Sequence, residues 1–220
     1  MGLGDVYKRQ GIDYLRDVWY ETSYLLDTKQ SFNGCAKQRY ENYKQQPVEF
    51  HFHPEFKGTF ESYGITPERR TPSGVRAAII REKGTNGERE MAYVLYLAGF
   101  DVKDVMMTDL ISGRETLDDI NMIVFCGGFS NSDVLGSAKG WAGAFLYNPK
   151  AKAALDRFYA REDTLSLGVC NGCQLMVELN LINPEHKKRS RMLHNNSHKF
   201  ESAFLGVTVT TNRSVMFGSL

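Results

Sequence analysis

The chain has 220 residues, 42% of them hydrophobic and 24% charged, with a formal net charge of +1. That balance suits one globular domain with an appendage and offers no overall field to attract nucleic acid or an anionic membrane. No apolar run approaches membrane-spanning length, no signal-peptide pattern opens the chain, and four unevenly spaced cysteines (Cys35, Cys126, Cys170, Cys173) suit a reduced, cytoplasmic setting.

Residues 1–10 (MGLGDVYKRQ) differ in character from the rest of the chain and read as a non-native leader, set apart from the fold. Ile12, Leu15, Val18, Trp19, Thr22, Leu25 and Leu26 recur at helical spacing. A polar stretch from Asp27 to Gln46 comes next, then a short alternating strand candidate from Val48 to Phe52. Gly58 to Gly74, with Pro67, Pro72 and several Gly and Ser residues, reads as a linker. His51 and His53 could suggest a metal pair, but no third ligand converges, so no metal site is expected.

From Val75 the pattern becomes strand–helix alternation. Val75–Ile80 reads as a first strand, and Asn86 in the Gly84–Gly87 turn as the N-cap of a helix reaching Ala98. Gly99 closes that helix and Val102–Met107 forms a second strand. Met122–Cys126 forms a third strand, which runs into Gly127-Gly128. Ser137–Tyr147 is helical, and Asn148-Pro149 caps and opens another helix through Ala160. Leu165–Val169 is a fourth strand, His186–Arg191 a solvated basic loop, and Phe204–Thr210 an alternating later strand. Short apolar strands separated by helices predict an α/β fold, an open parallel sheet with helices on both faces.

The fourth strand ends at Gly168-Val169-Cys170-Asn171-Gly172-Cys173-Gln174. A cysteine flanked by glycines at a strand-to-helix turn spells a nucleophile elbow, with glycines for the sharp turn and for room around the thiol. A helix N-terminus favours the thiolate, and the Asn171 N–H would face a developing oxyanion. Gly127-Gly128, also at a strand carboxyl end, could supply a second N–H donor. Two other readings stay open on these residues: a thiol–disulfide protein using Cys170 and Cys173, and a non-catalytic α/β interaction domain. A zinc site would need a second ligand pair at matching spacing, and none is present.

Cys126 to Ser130, Asp133 to Ala142 and Gly168 to Gln174 together resemble the class I, flavodoxin-like glutamine amidotransferase domain of the phosphoribosylformylglycinamidine synthase family. The likeness extends through Arg81–Gly87, Glu90-Met91, Ala98–Asp101, Ser112–Arg114, Asn196-Ser197 and Phe200-Glu201. Leu15–Trp19 with Glu21–Ser23 is similar to the end of the synthetase half in the large, single-chain form. The resemblance implies the end of a synthetase domain and a linker over 11–74, and an incomplete amidotransferase domain over 75–220. It implies Cys170 as the nucleophile toward glutamine, Gly128 and Asn171 as oxyanion donors, and Phe129, Gln174 and Ser197 as glutamine contacts, with Cys173 structural. Ammonia would pass to the synthetase half, where ATP and Mg2+ serve formylglycinamide ribonucleotide. No cofactor is implied for the present residues.

In that family the general base arrives as His-x-Glu after the elbow, and no such motif follows Cys170 before Leu220. A C-terminally truncated sheet and little or no glutaminase activity from these 220 residues alone are therefore expected. His53-Pro54-Glu55 has the spelling but lies upstream of the first strand, and His194 and His198 lack a carboxylate at the right spacing. Two departures from the family pattern, Asn131-Ser132 for Tyr-Gly and Ala203 for Arg, bear on the pocket rather than on the reaction.

Overall fold

The computed structural model describes residues 11–45, 49, 51–52, 54–212 and 214–218. The proposed leader, His53, and Val48 and Phe50 of the Val48–Phe52 strand candidate lie outside them. The chain divides into two compact units, one of residues 57–192 and one combining the residues up to 56 with 193–220.

The larger unit is built on β1 (Arg76–Arg81), β3 (Asp101–Met106), β4 (Met122–Phe125) and β6 (Leu165–Gly168), hydrogen-bonded in the order β3-β1-β4-β6 and parallel throughout. Ala77, Ala78, Ile79 and Ile80 are all buried, although successive residues of a strand point to opposite faces. Both faces of the sheet are therefore covered, as the continuous apolar strands require.

Five helices connect or follow these strands: α3 (Glu88–Leu97), α4 (Met107–Ser112), α5 (Lys139–Leu146), α6 (Pro149–Tyr159) and α7 (Asn171–Glu178). Ala78, Ile80, Ile123 and Phe125 share one core with Leu110, Trp141, Phe145, Phe158 and Leu175. Phe125 is its hub, meeting Trp141 and Phe145 edge-on at ring separations of 5.9 and 6.0 Å.

Several local expectations change in detail. Asn86 does not cap α3; it lies in a two-residue strand, β2 (Thr85–Asn86), and Gly87 at φ +81° takes the cap position. The reason is tertiary, because β2 pairs antiparallel with β5 (Gly127–Gly128) and holds Asn86 extended. The short helix α4 has no sequence signal, since it follows β3 without a turn residue. Asp109 Oδ2 accepts the Met106 N–H at 2.9 Å and closes its first turn. At the entry to the sheet the Asp101 carboxylate accepts the N–H groups of Ser73 and Gly74, at 3.0 and 2.8 Å, which pins the end of the linker. Those bonds, with Arg69, hold the carboxyl below its ordinary range.

In the other unit, α1 (Ile12–Gln30) contains the expected helical periodicity but buries none of its residues; Ile12 and Trp19 are more than 80% exposed. α2 (Cys35–Glu41) comes next, with Tyr24 and Tyr40 stacked at 4.4 Å. Asp27 binds Arg39 at 2.6 Å and Lys199 at 2.7 Å. Burial pushes its carboxyl up, but hydrogen bonds from Lys199, Ser31 and Arg39 hold it well below the usual carboxylate range. Phe204–Thr210 is exposed and forms no strand, against the expectation from its alternation. An extended segment needs a neighbour for its backbone groups, and no strand of either sheet pairs with this one.

Asn148 is the clearest local stabiliser, its Oδ1 accepting the N–H groups of Lys150 and Ala151 at 3.1 and 3.0 Å ahead of Pro149. Asn148→Ala should lower the unfolding free energy by about 1 kcal/mol, read as a shift of the urea midpoint at constant m-value.

Candidate active site at the strand carboxyl ends

The parallel pairing of β4 with β6 sets Phe125 opposite Gly168, and the Val169 N–H continues the ladder to the Phe125 carbonyl at 3.0 Å. Both strands thus end at the same level, and the segments leaving them, Cys126-Gly127-Gly128 and Val169-Cys170-Asn171, emerge side by side. A Cβ placed on Gly127 would stand 3.3 Å from the Cys170 Cβ.

Cys170 is exposed and takes the N-cap position of α7 with φ +52° and ψ −108°. A non-glycine residue there costs of order 1–3 kcal/mol and persists only where its surroundings dictate it. The flanking glycines carry a different load from the one their sequence suggests. Neither Gly168 nor Gly172 has a positive φ. They are glycines because other atoms occupy the Cβ positions. A Cβ on Gly172 would lie 2.0 Å from the Phe125 carbonyl oxygen, and one on Gly168 would lie 2.7 Å from Met176 Sδ. The turn is made by the cysteine, and the glycines let β4 and α7 close on it.

As first residue of α7, Asn171 has an N–H without an intrahelical acceptor. No backbone acceptor among the described residues takes it, whereas Gly172 donates to Val169 O at 2.8 Å and Gln174 to Cys170 O at 3.1 Å. Gly128 sits at φ +111°, where an added Cβ would meet Gly84 O at 2.6 Å. The neighbouring Phe129 N–H donates to Gly84 O at 2.8 Å. That bond makes Thr85–Gly128 the pair that exchanges no ladder hydrogen bonds, so the Gly128 N–H faces away from β2. Among the described residues neither N–H is thus taken by a backbone acceptor.

The remaining candidates divide. Gln174, half-buried, lies within the group, its Oε1 accepting from Asn171 Nδ2 at 2.9 Å. Phe129 is 63% exposed. Ser197 belongs to the other unit, where it is buried and its carbonyl accepts the Phe32 N–H at 3.0 Å. Cys173 is half-buried with a free thiol, and the exposed His194 and His198 also fall in the other unit.

Sequence reading assigns no site role to Ser130 or Asp133. The Ser130 N–H donates to Asn171 Oδ1 at 3.1 Å, and both Asp133 carboxylate oxygens accept from Asn171 Nδ2 at 3.1 Å. These contacts span 38 to 41 positions, so no local pattern announces them. Asn131, Ser132 and Asp133 form a run of three left-handed residues, with φ of 51°, 58° and 48°. Such strain concentrates at functional sites.

A profile of the CobB/CobQ-like glutamine amidotransferase domain matches residues 74–220. The chain belongs to this glutamine amidotransferase family. It is 37% identical over 216 residues to phosphoribosylformylglycinamidine synthase of Drosophila melanogaster, covering 96% of this chain and 16% of that protein. The Homo sapiens enzyme of that name is 39% identical, with 97% and 17% covered. A probable chloroplastic/mitochondrial phosphoribosylformylglycinamidine synthase of Arabidopsis thaliana is 38% identical, with 97% and 15% covered. The chain therefore spans 15 to 17% of the length of these relatives. A solved structure, "Structure of PurLQS from Thermotoga maritima", covers 50% of the chain and 46% of its own at 26% identity and TM-score 0.40. Membership of an amidotransferase family does not favour the thiol–disulfide or the non-catalytic interaction reading. Among the described residues, no helix is long and apolar enough to cross a membrane.

Burial distinguishes the two thiols that end strands in this amidotransferase. It pushes the Cys126 thiol up to about 11, aided by the Glu88 charge, so Cys126 stays protonated as pH rises through the range where an ordinary thiol ionises. At pH 8 iodoacetamide should modify the exposed Cys170 well before Cys126, and raising the pH to 9.5 should not bring Cys126 level, as peptide mass mapping would show. Gly172→Ala should destabilise the larger unit by about 3 kcal/mol, the upper end for overpacking, because its neighbour is backbone that cannot rotate away. Urea unfolding beside the wild-type chain measures it.

Proposed function

We propose that this amidotransferase chain is the glutaminase part of a phosphoribosylformylglycinamidine synthase, with Cys170 as its nucleophile. One observation carries the reading: the exposed, strained Cys170 heads α7 beside the glycine pair that leaves the adjacent parallel strand.

The Cys170 sulfur attacks the side-chain amide carbon of glutamine, forming a C–S bond while the carbonyl π electrons move onto oxygen. That oxyanion lies between the N–H groups of Gly128 and Asn171. When it collapses, the C–N bond breaks, the nitrogen takes up the proton lost by the thiol, and ammonia leaves a glutamyl thioester. Water then adds to the thioester, releasing glutamate and restoring the thiol. None of the described residues is assigned as the base that carries the proton. Gln174 and Phe129 are proposed to contact the glutamine.

Ammonia is the product that matters to the larger enzyme. It passes to a synthetase part, where ATP with Mg2+ activates formylglycinamide ribonucleotide, and its addition gives formylglycinamidine ribonucleotide in purine biosynthesis. ATP and Mg2+ are assigned to the synthetase part. The proposed partners are glutamine and that synthetase part, and the proposed setting is the cytoplasm.

In the whole synthase, Cys170→Ala should abolish glutamine-dependent synthesis, a fall of about 10⁴-fold or more, while synthesis from added ammonium salts stays within about twofold. Equal loss of both would count against the role given to Cys170. Cys173→Ser separates this reading from a redox dithiol: the glutaminase should keep most of its activity without Cys173, whereas a dithiol fails without its second sulfur.

A further inference from the structure

The Asn171 side chain spans the two segments that carry the proposed oxyanion donors. Its Oδ1 accepts the Ser130 N–H at 3.1 Å, two residues beyond Gly128. Its Nδ2 donates to both oxygens of Asp133 at 3.1 Å and to Gln174 Oε1 at 2.9 Å. Asp133 Oδ1 also accepts the Ala138 N–H at 3.2 Å, which closes the turn that follows the left-handed run. Asn171 and Ser130 are each 1% exposed.

A buried amide is a costly way to fill space, and an apolar side chain of the same size stabilises at least as well once its polar partners are also absent. What the amide supplies is direction. Each of its bonds has a fixed length and angle, and together they tie the backbone after Gly128 to the backbone after Cys170. Oxyanion donors act only when both lie about 2.7–3.1 Å from the oxygen they stabilise, and a misplacement of about 1 Å can cost about 100-fold in rate.

We propose that Asp133 and the Asn171 side chain are positioning residues that set the separation of the Gly128 and Asn171 N–H groups across the Cys170 thiol. Neither side chain touches the reacting atoms. Asp133 orients the Asn171 amide, and the amide sets the loop. This rests on the assignment of Cys170 and the two donors in the proposed glutaminase, and it adds a residue outside the glycine pair and the elbow.

The test compares two reagents on the whole synthase by peptide mapping. A glutamine-shaped chloromethyl ketone alkylates Cys170 by forming a C–S bond as chloride departs with the C–Cl electrons and the thiol proton passes to buffer. Its ketone oxygen needs the two donors. Iodoacetamide reacts with the same sulfur without them. In Asp133→Ala the ketone rate at Cys170 should fall about 10- to 100-fold, with the iodoacetamide rate within about twofold of wild type. Asp133→Asn, which keeps an acceptor oxygen, should recover the ketone rate to within about threefold. Should Asp133→Ala fail to fold, Asn171→Leu removes the same bonds from a side chain of similar size and should give the same selective loss.

An unchanged ketone rate in these variants would overturn the proposal, as would an equal fall with both reagents, which marks lost packing rather than lost positioning. Failure of Asp133→Asn to recover the rate would also count against it. If wild-type Cys170 shows no preference for the ketone over Cys35, Cys126 and Cys173, the glutaminase reading falls and this proposal falls with it. A retained preference that ignores Asp133 overturns the positioning role alone.

Discussion

The pairing of β4 with β6 is the constraint on which the site depends. Two parallel strands held in one register deliver their last residues at the same height, so the segments beyond Phe125 and Gly168 leave as neighbours. The Val169 N–H extends that register one bond past the strand. Gly172 then allows the first turn of α7 to sit on the Phe125 carbonyl, at a distance no side chain would tolerate. Phe125 therefore serves both the core and the site. Its ring anchors the core against Trp141 and Phe145, and its carbonyl is the surface against which the elbow is pressed.

That packing accounts for the strain at Cys170. A chain leaving β6 must reverse into α7 within a few residues while the space toward β4 is already filled. The reversal falls on Cys170, which is held at φ +52° because the elements on either side are fixed by their own hydrogen bonds. A thiol placed this way projects from the turn and is exposed, whereas Cys126 at the end of β4 follows the strand inward and is buried. The two residues share a chemistry and end neighbouring strands, but only one is accessible.

The loop that faces the elbow is held by a different device. β5 is only two residues long, and its pairing with β2 fixes Gly128 at φ +111°. Beyond it three consecutive residues take left-handed conformations without one glycine among them. Such a run needs external restraint. The restraint visible here is polar and comes from Asn171, whose side chain binds the loop while its backbone opens α7. One residue thus belongs to both halves of the site.

The chain alone announces the four strands of the parallel sheet, most of the helices that cover it and the chemistry of its termini. Apolar strands separated by amphipathic helices announce a covered parallel sheet, Asn148-Pro149 announces a helix start, and Gly-Val-Cys-Asn-Gly announces an elbow, because each depends on neighbours only a few positions away. Tertiary structure decided which strands lie together, and hence that Gly127-Gly128 stands against Cys170. It also decided that Asn86 pairs in β2 instead of capping α3, that Phe204–Thr210 is left without a strand to join, and that the elbow glycines serve close approach rather than the turn. The bonds of Ser130 and Asp133 to Asn171 were invisible for the same reason. A hydrogen bond across some forty positions leaves no period and no spacing in the chain, and it exists only once the fold has brought its partners to the same place.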